Sequence, residues 1–315
     1  MNNIRGNQYS KRHQTLDSCP TCTEFWSFGF HESAIYDYPA TIDYILEATN
    51  QEDLFFVGYS MATTQYLVLL SELPEYNKKI RAGFLLGPCA ILANATNPLV
   101  KMANQAELIQ SVAQILGMDE FMPNFLEIKS RLAHTICEAS YLHSIVCRNL
   151  YALVVGTDPL GMDPMMVPTY LSQLPAGAST TTFVHFAQLF RNPNQFLKYD
   201  YGALKNLVQY GSSSPPEYAL HEVTTTSVLY CGDSDGFVSL TDAKTLTDRL
   251  PNAEYKVVEK SGFSHLDFIF SVEAASLIYH DIIERMNNDI GKVYCDANCV
   301  WIQRKYNLTS KLTSR

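Results

Sequence analysis

The sequence predicts a parallel α/β sheet interrupted by a helical insertion. Apolar runs of strand length alternate with helix-period segments at both ends of the chain. Residues 92–221, between them, carry helical patterns broken by Pro and Asn and little that reads as strand. One serine, one aspartate and one histidine each follow directly on a predicted strand, where parallel sheets place their sites.

Composition sets the outer limits. The chain has 315 residues, 47% of them hydrophobic and 17% charged, which excludes a disordered chain and suffices for a large core. Lys plus Arg number 23 against 32 Asp plus Glu, a net charge of −9, so a nucleic-acid backbone is not the expected partner. No run approaches the roughly 18–20 apolar residues of a membrane span.

Residues 1–23 are polar and turn-rich, with no apolar segment of signal-peptide type. Ala40–Ala48 has the spacing of an amphipathic helix, and Asn50–Asp53 breaks it. Leu54-Phe55-Phe56-Val57 reads as a buried strand, Gly58-Tyr59-Ser60-Met61-Ala62 as a tight turn, and Thr63–Leu73 as a helix ended by Pro74. Ile80–Leu86 is the next strand, closed by Gly87-Pro88. Within the insertion, Leu108, Ile109, Val112, Ile115 and Leu116 form one apolar helix face, and Leu126–Cys137 and Ser144–Val155 are further helices. Asn192-Pro193 and Ser212–Pro216 mark loops. Strands resume at Thr224–Tyr230 and Glu254–Val258, with a helix at Leu240–Leu250 between them. Ala274–Met286 is the last expected helix, and residues 287–315 show no clear element.

The chemistry lies at the strand ends. Ser60 sits in a sharp strand-to-helix turn, Asp235 follows the strand ending at Tyr230, and His265 follows the strand ending at Val258. A serine hydroxyl is too weakly acidic to attack a carbonyl unaided. An imidazole must take its proton, and a carboxylate must orient that imidazole and stabilise its cation. The order Ser, Asp, His is that of α/β-hydrolases, and Gly58–Ala62 approaches their G-x-S-x-G turn with Ala in the last place. By itself such a pentad is often only a turn. Asp233 is a rival acid, and Asp-Ser-Asp-Gly at 233–236 is also good turn chemistry. Asp267 reads as support near His265, and His185 as a packed residue of the insertion.

Several segments together carry a family resemblance. Arg5-Gly6-Asn7-Gln8-Tyr9-Ser10, Phe25-Trp26-Ser27-Phe28 with His31-Glu32, Tyr36–Ile45, the elbow Gly58–Ala62 with Thr63-Thr64, Ser71–Asn77 and Ser264–Ile269 resemble the acid lipases, meaning gastric and lysosomal acid lipase and their insect relatives. The likeness runs over about residues 2–286. It implies an α/β-hydrolase fold with a helical cap, acting on acylglycerols or sterol esters in contact with lipid surfaces. It implies no cofactor and no metal, and a secreted or lysosomal location. By position it makes Ser60 the nucleophile, Asp235 the acid and His265 the base, with the Met61 backbone N–H as an oxyanion donor. It also pairs Cys137 with Cys147 as a disulfide of the cap.

The chain departs from that pattern in places. Tyr59 and Met61 stand where the family usually has His and Gln beside the serine. The family's opening strands and its His-Gly oxyanion loop lie upstream of the Arg-Gly-Asn motif, which here begins at Arg5. The expectation is therefore a sheet shortened at its N-terminal side and an oxyanion hole short of one donor, a loss worth ~10²–10³ in rate. On that ground a catalytically impaired lipid-binding relative is the alternative function.

The sequons at Asn94 and Asn307 are candidate glycosylation sites. Cys19-Pro20-Thr21-Cys22 and Cys295 with Cys299 have spacings seen in redox or zinc half-sites, but the first pair lies in a polar loop, which favours a local disulfide or free thiols. Cys89 and Cys231, at strand ends, read as small buried apolar residues. The expected division is a hydrolase core at 1–91 and 222–290, a cap at 92–221 and a tail at 291–315.

Overall fold

The computed structural model describes residues 2–19, 21–97, 105, 119–121, 137, 140–155, 161–173, 176–192 and 194–294. They fall in two compact units, Met1–Val272 and Glu273–Arg315.

The first unit is built on a four-stranded sheet: β1 (Leu54–Tyr59), β2 (Ile80–Leu86), β3 (Thr226–Cys231) and β4 (Ala253–Val257), paired side by side in that order. All three pairings are parallel, with Tyr59 beside Leu86, Leu86 beside Tyr230, and Cys231 beside Val257, so the C-terminal ends of the strands are level. Each strand lies within a residue or two of its expected bounds; β2 and β3 are buried along most of their length, while the outer strands β1 and β4 are partly exposed, at Val57 and Val257 among others.

Helix α1 (Tyr38–Thr49) precedes β1 and ends on Asn50, whose left-handed φ of 51° closes it. The chain enters α1 through a π-helical turn, Ser33–Asp37. There the Arg5 guanidinium donates to Asp37 at 2.6 and 2.8 Å, tying the Arg-Gly-Asn segment to the Tyr-Asp-Tyr-Pro segment. Helix α2 (Met61–Glu72) is buried from Thr63 to Ser71, its polar Thr63, Thr64, Gln65 and Ser71 included. It seats on the sheet through Tyr66, whose hydroxyl meets Ser227 Oγ at 2.9 Å. A Cβ at Gly83 of β2 would come within 2.5 Å of the Tyr66 ring, so glycine there is what lets the helix approach. Asn77 fixes the start of β3: its side chain donates to Glu222 O and accepts from the Thr224 and Thr225 N–H groups.

Of the insertion, the described parts include helix α3 (Tyr141–Val155) and helix α4 (Thr180–Arg191). Two two-residue strands, Glu120–Phe121 and Ala178–Ser179, pair antiparallel, a small strand element the helical reading did not include. Ser179 caps α4 by accepting from Thr182 N. The expected apolar face at Leu108–Leu116 and the helix expected from Leu126 up to Cys137 lie outside the described residues, except for Cys137 itself.

Helix α5 (Leu240–Arg249) links β3 to β4 and is capped by Ser239. The second unit is described from Glu273 to Tyr294: a π-helical turn, Ala275–Tyr279, runs into helix α6 (His280–Tyr294). That helix continues past Met286, where the expected element stopped. The polar residues Asn287, Asn288 and Asp289 carry no apolar period, so periodicity misses the extension. Among the described residues no helix is long and apolar enough to cross a membrane.

Candidate active site

Ser60 stands between the last residue of β1 and the first turn of α2, with φ 53° and ψ −120°. A non-glycine residue at such angles is strained, and the surroundings hold it there. Its N–H donates to Leu86 O at 2.9 Å, extending the β1–β2 ladder by one bond, and its carbonyl accepts from Thr63 Oγ1 at 2.6 Å. Gly58 completes the turn: a Cβ there would lie 2.7 Å from the Phe56 ring and 3.2 Å from the Ala62 carbonyl carbon. The place that cannot carry a side chain is therefore 58, while Ala62 keeps its methyl group.

His265 lies in the loop after β4, and Asp235 in the loop after β3. His265 Nε2 is 2.8 Å from Ser60 Oγ, and Nδ1 is 2.7 Å from Asp235 Oδ2. An ionised carboxylate only accepts, so Nδ1 carries the proton. In the neutral ring Nε2 is then the acceptor, and the serine hydroxyl donates to it. Sequence separations of 205 and 30 residues are closed by the strand ends alone. Asp235 and His265 are both buried, at 7% and 5% exposure. Burial pulls the imidazole pKa down, but the hydrogen bond to Asp235, the Cys89 sulfur and the Asp235 charge outweigh it, and the net direction is up.

Asp233 is not at the imidazole. Its Oδ1 accepts from Gly262 N at 2.8 Å and from Ser234 Oγ at 3.1 Å, which makes it a loop support. Asp267 accepts from the N–H and hydroxyl of Ser264 at 2.7 and 2.9 Å and shapes the turn that carries His265. His185 is buried, stacked on Phe30 at 4.0 Å, with Nε2 bonded to Leu197 O.

Beside Ser60 opens a cavity of about 180 Å³ lined by Ser60, Met61, Cys89, Leu92, Phe237 and one face of α4. That face is Phe183, Phe186, Ala187 and Phe190, spaced i, i+3, i+4, i+7. Met61 opens α2, so its N–H belongs to the first turn, where no intrahelical carbonyl is in reach.

Several contributors escaped the reading of the sequence. The Phe237 and Tyr59 rings lie 4.9 and 5.2 Å from the imidazole. Gly87, with φ +58°, passes so near that a Cβ would be 3.0 Å from the His265 ring. The four-residue apolar period of α4 was a signal that could have been found. The others meet the site only through the fold.

Of the cysteines, Cys137 and Cys147 are joined, with Cα atoms 5.8 Å apart, and so are Cys19 and Cys22, at 5.1 Å. The second pair is therefore no zinc half-site in this structure. Cys295, Cys299 and Asn307 lie outside the described residues. Cys89 and Cys231 are buried and free. Asn94 is exposed, and its side-chain amide donates to Asp242.

Residues 1–271 match the family of the alpha/beta hydrolase fold. Lipase 3 of Drosophila melanogaster is 37% identical over 91% of this chain and 73% of its own length. The human lysosomal acid lipase/cholesteryl ester hydrolase is 31% identical over 91% of this chain and 70% of its own. Mouse gastric triacylglycerol lipase is 32% identical over 92% and 71%. The chain belongs to the acid lipase family. As an α/β-hydrolase of that family it is a serine ester hydrolase.

Proposed function

We propose that the protein cleaves acylglycerols or sterol esters through an acyl-enzyme on Ser60. The observation that carries this reading is the unbroken hydrogen-bond chain from Asp235 through His265 to Ser60, opening onto an apolar cavity. The substrate's acyl chain lies against Phe183, Phe186 and Phe190. Nε2 takes the Ser60 proton as Oγ attacks the ester carbonyl, and Asp235 stabilises the imidazolium that forms. The Met61 N–H donates to the oxyanion, the position of the residue after the nucleophile in this fold. The imidazolium protonates the departing alcohol. Water, deprotonated by the same nitrogen, then releases the fatty acid and restores Ser60. The disulfides Cys19–Cys22 and Cys137–Cys147 support work in an oxidising compartment, such as the secretory route to lysosome or exterior.

A fluorophosphonate probe tests the reading directly. Folded protein should be labelled at Ser60, with labelling lost in Ser60→Ala and after denaturation. It should also turn over p-nitrophenyl esters. No labelling of the folded protein, together with fatty-acid binding that Ser60→Ala leaves unchanged, would replace the hydrolase with a lipid-binding protein.

A further inference from the structure

Tyr59 reaches across the sheet ends to the loop that carries the base. Its hydroxyl donates to the His265 carbonyl at 3.0 Å, over a separation of 206 residues. Its ring faces the imidazole at 5.2 Å, inclined by 37°. The Tyr59 and Phe237 rings both approach the imidazole, while its two nitrogens are taken by Asp235 and Ser60.

The His265 loop leaves the sheet after β4 and reaches a single helical turn, Asp267–Phe270. Asp233 holds the loop further back, at Gly262, and beside His265 itself two more tethers, from Asp267 and Tyr59, differ in kind. Asp267 binds Ser264 three residues away, so it sets the shape of the turn. Tyr59 binds from the far side of the site, so it sets where that turn sits. Because Tyr59 is bonded to Ser60, the link fixes the base relative to the nucleophile itself. The loop's other ties, Asp233 to Gly262 and the Ser234 N–H to Phe263 O, run to the loop after β3, so they reach Ser60 across the β3–β2 and β2–β1 pairings and accumulate the play of both.

We propose that Tyr59 is a positioning residue that holds the His265 imidazole in register with Ser60. The proposal rests on the hydrolase reading for its kinetic consequence, though not for its geometric one. A misplacement of about 1 Å costs on the order of 10² in rate, and a single neutral hydrogen bond is worth up to about tenfold. Tyr59→Phe keeps the ring and loses the hydroxyl. It should lower kcat for a p-nitrophenyl ester by roughly three- to tenfold with KM within about twofold. Tyr59→Ala, which loses both contacts, should lower kcat by roughly 30- to 100-fold. Fluorophosphonate labelling should slow in the same proportions.

A readout independent of turnover is the proton NMR resonance of His265 Nδ1–H, which the buried bond to Asp235 shifts far downfield. In Tyr59→Phe that resonance should move or broaden, while the melting temperature changes little. Wild-type turnover with Tyr59→Phe matching wild type in kcat, labelling rate and this resonance would overturn the proposal. Wild-type protein that neither turns over nor labels, with the resonance still displaced in Tyr59→Phe, would sink the hydrolase reading and leave the positioning role standing. An unchanged resonance in that case would end both.

Discussion

Asp235 divides its carboxylate between the imidazole and the backbone. Oδ2 accepts from His265 Nδ1 at 2.7 Å, and Oδ1 accepts from the N–H groups of Phe237 and Val238 at 2.8 and 3.0 Å. The backbone bonds settle which oxygen faces the ring. In Asp235→Asn they would keep the amide oxygen and turn the NH₂ toward Nδ1. The ring would then have to accept there and carry its proton on Nε2, where it cannot take one from Ser60. A fall in kcat of about 10³–10⁴ is expected, the magnitude of a wrong-tautomer lesion. Asp233→Asn, which preserves an acceptor for Gly262, should stay within about threefold of wild type. Steady-state ester hydrolysis by the two purified variants decides between the acids.

The raised pKa of His265 gives the pH profile its sign. Only the neutral ring accepts the Ser60 proton, so kcat/KM should climb with pH through that pKa and fall below it. Removing a group that raises the pKa should move the acid limb to lower pH. Cys89 is such a group, and its sulfur lies 3.9 Å from Ser60 Oγ. Cys89→Ala is therefore expected to shift the acid midpoint downward by a few tenths of a pH unit. A shift upward would show that the sulfur acts through exclusion of water rather than as an acceptor.

Gly87 offers a steric test. With φ +58°, any side chain there costs roughly 1–2 kcal/mol, and the Cβ would press on the His265 ring at 3.0 Å and on Asp235 Oδ2 at 3.3 Å. Gly87→Ala should lower kcat by at least about 10²-fold. It should cost only about 1–3 kcal/mol in urea unfolding, since the fold around β2 stays otherwise packed. Activity near wild type would mean that the loop yields easily and that the base is held loosely.

The residues brought together at Ser60 were legible because each follows a strand that announces itself. Leu54–Val57, Thr224–Tyr230 and the Glu254–Val258 segment are short, apolar or β-branched, and bounded by turn formers. What surrounds them was not legible. Gly87 reads as the end of a strand until the imidazole is seen beside it. Tyr59 reads as an arbitrary residue of the elbow, since nothing local says that its hydroxyl meets a carbonyl 206 residues on. Between Asp233 and Asp235, turn chemistry alone could not choose, because both accept backbone N–H groups. The family spacing favours Asp235, and the direction of the loop turns that carboxylate to the ring. The period of α4 was as clear as that of the Leu108–Leu116 face, and its Phe residues line the cavity.

His185 makes the fold sensitive to acid. Its ring stacks on Phe30 at 4.0 Å, meets Tyr199 edge-on, and is 1% exposed. Burial drives its pKa down to about 3, against a smaller raising effect of the bond to Leu197 O and a further lowering by His31. In the unfolded chain the same imidazole titrates near 6.5. Above that pH both states are neutral and His185 adds no pH dependence. Between 6.5 and about 3 the unfolded chain binds a proton that the folded chain refuses, so stability falls as pH falls, by up to about 1.4 kcal/mol per unit. Burial lowers the His31 pKa too, adding loss of the same sign. Urea unfolding at pH 7, 6, 5 and 4.5 should show this decline, and His185→Gln should flatten it by close to one proton. Gln keeps a donor for Leu197 O, so its absolute stability at pH 7 can drop without touching the slope, which is the quantity that tests the assignment. Equal slopes for wild type and His185→Gln would mean that the ring finds a way to protonate in place, and acid sensitivity would then have to come from other groups.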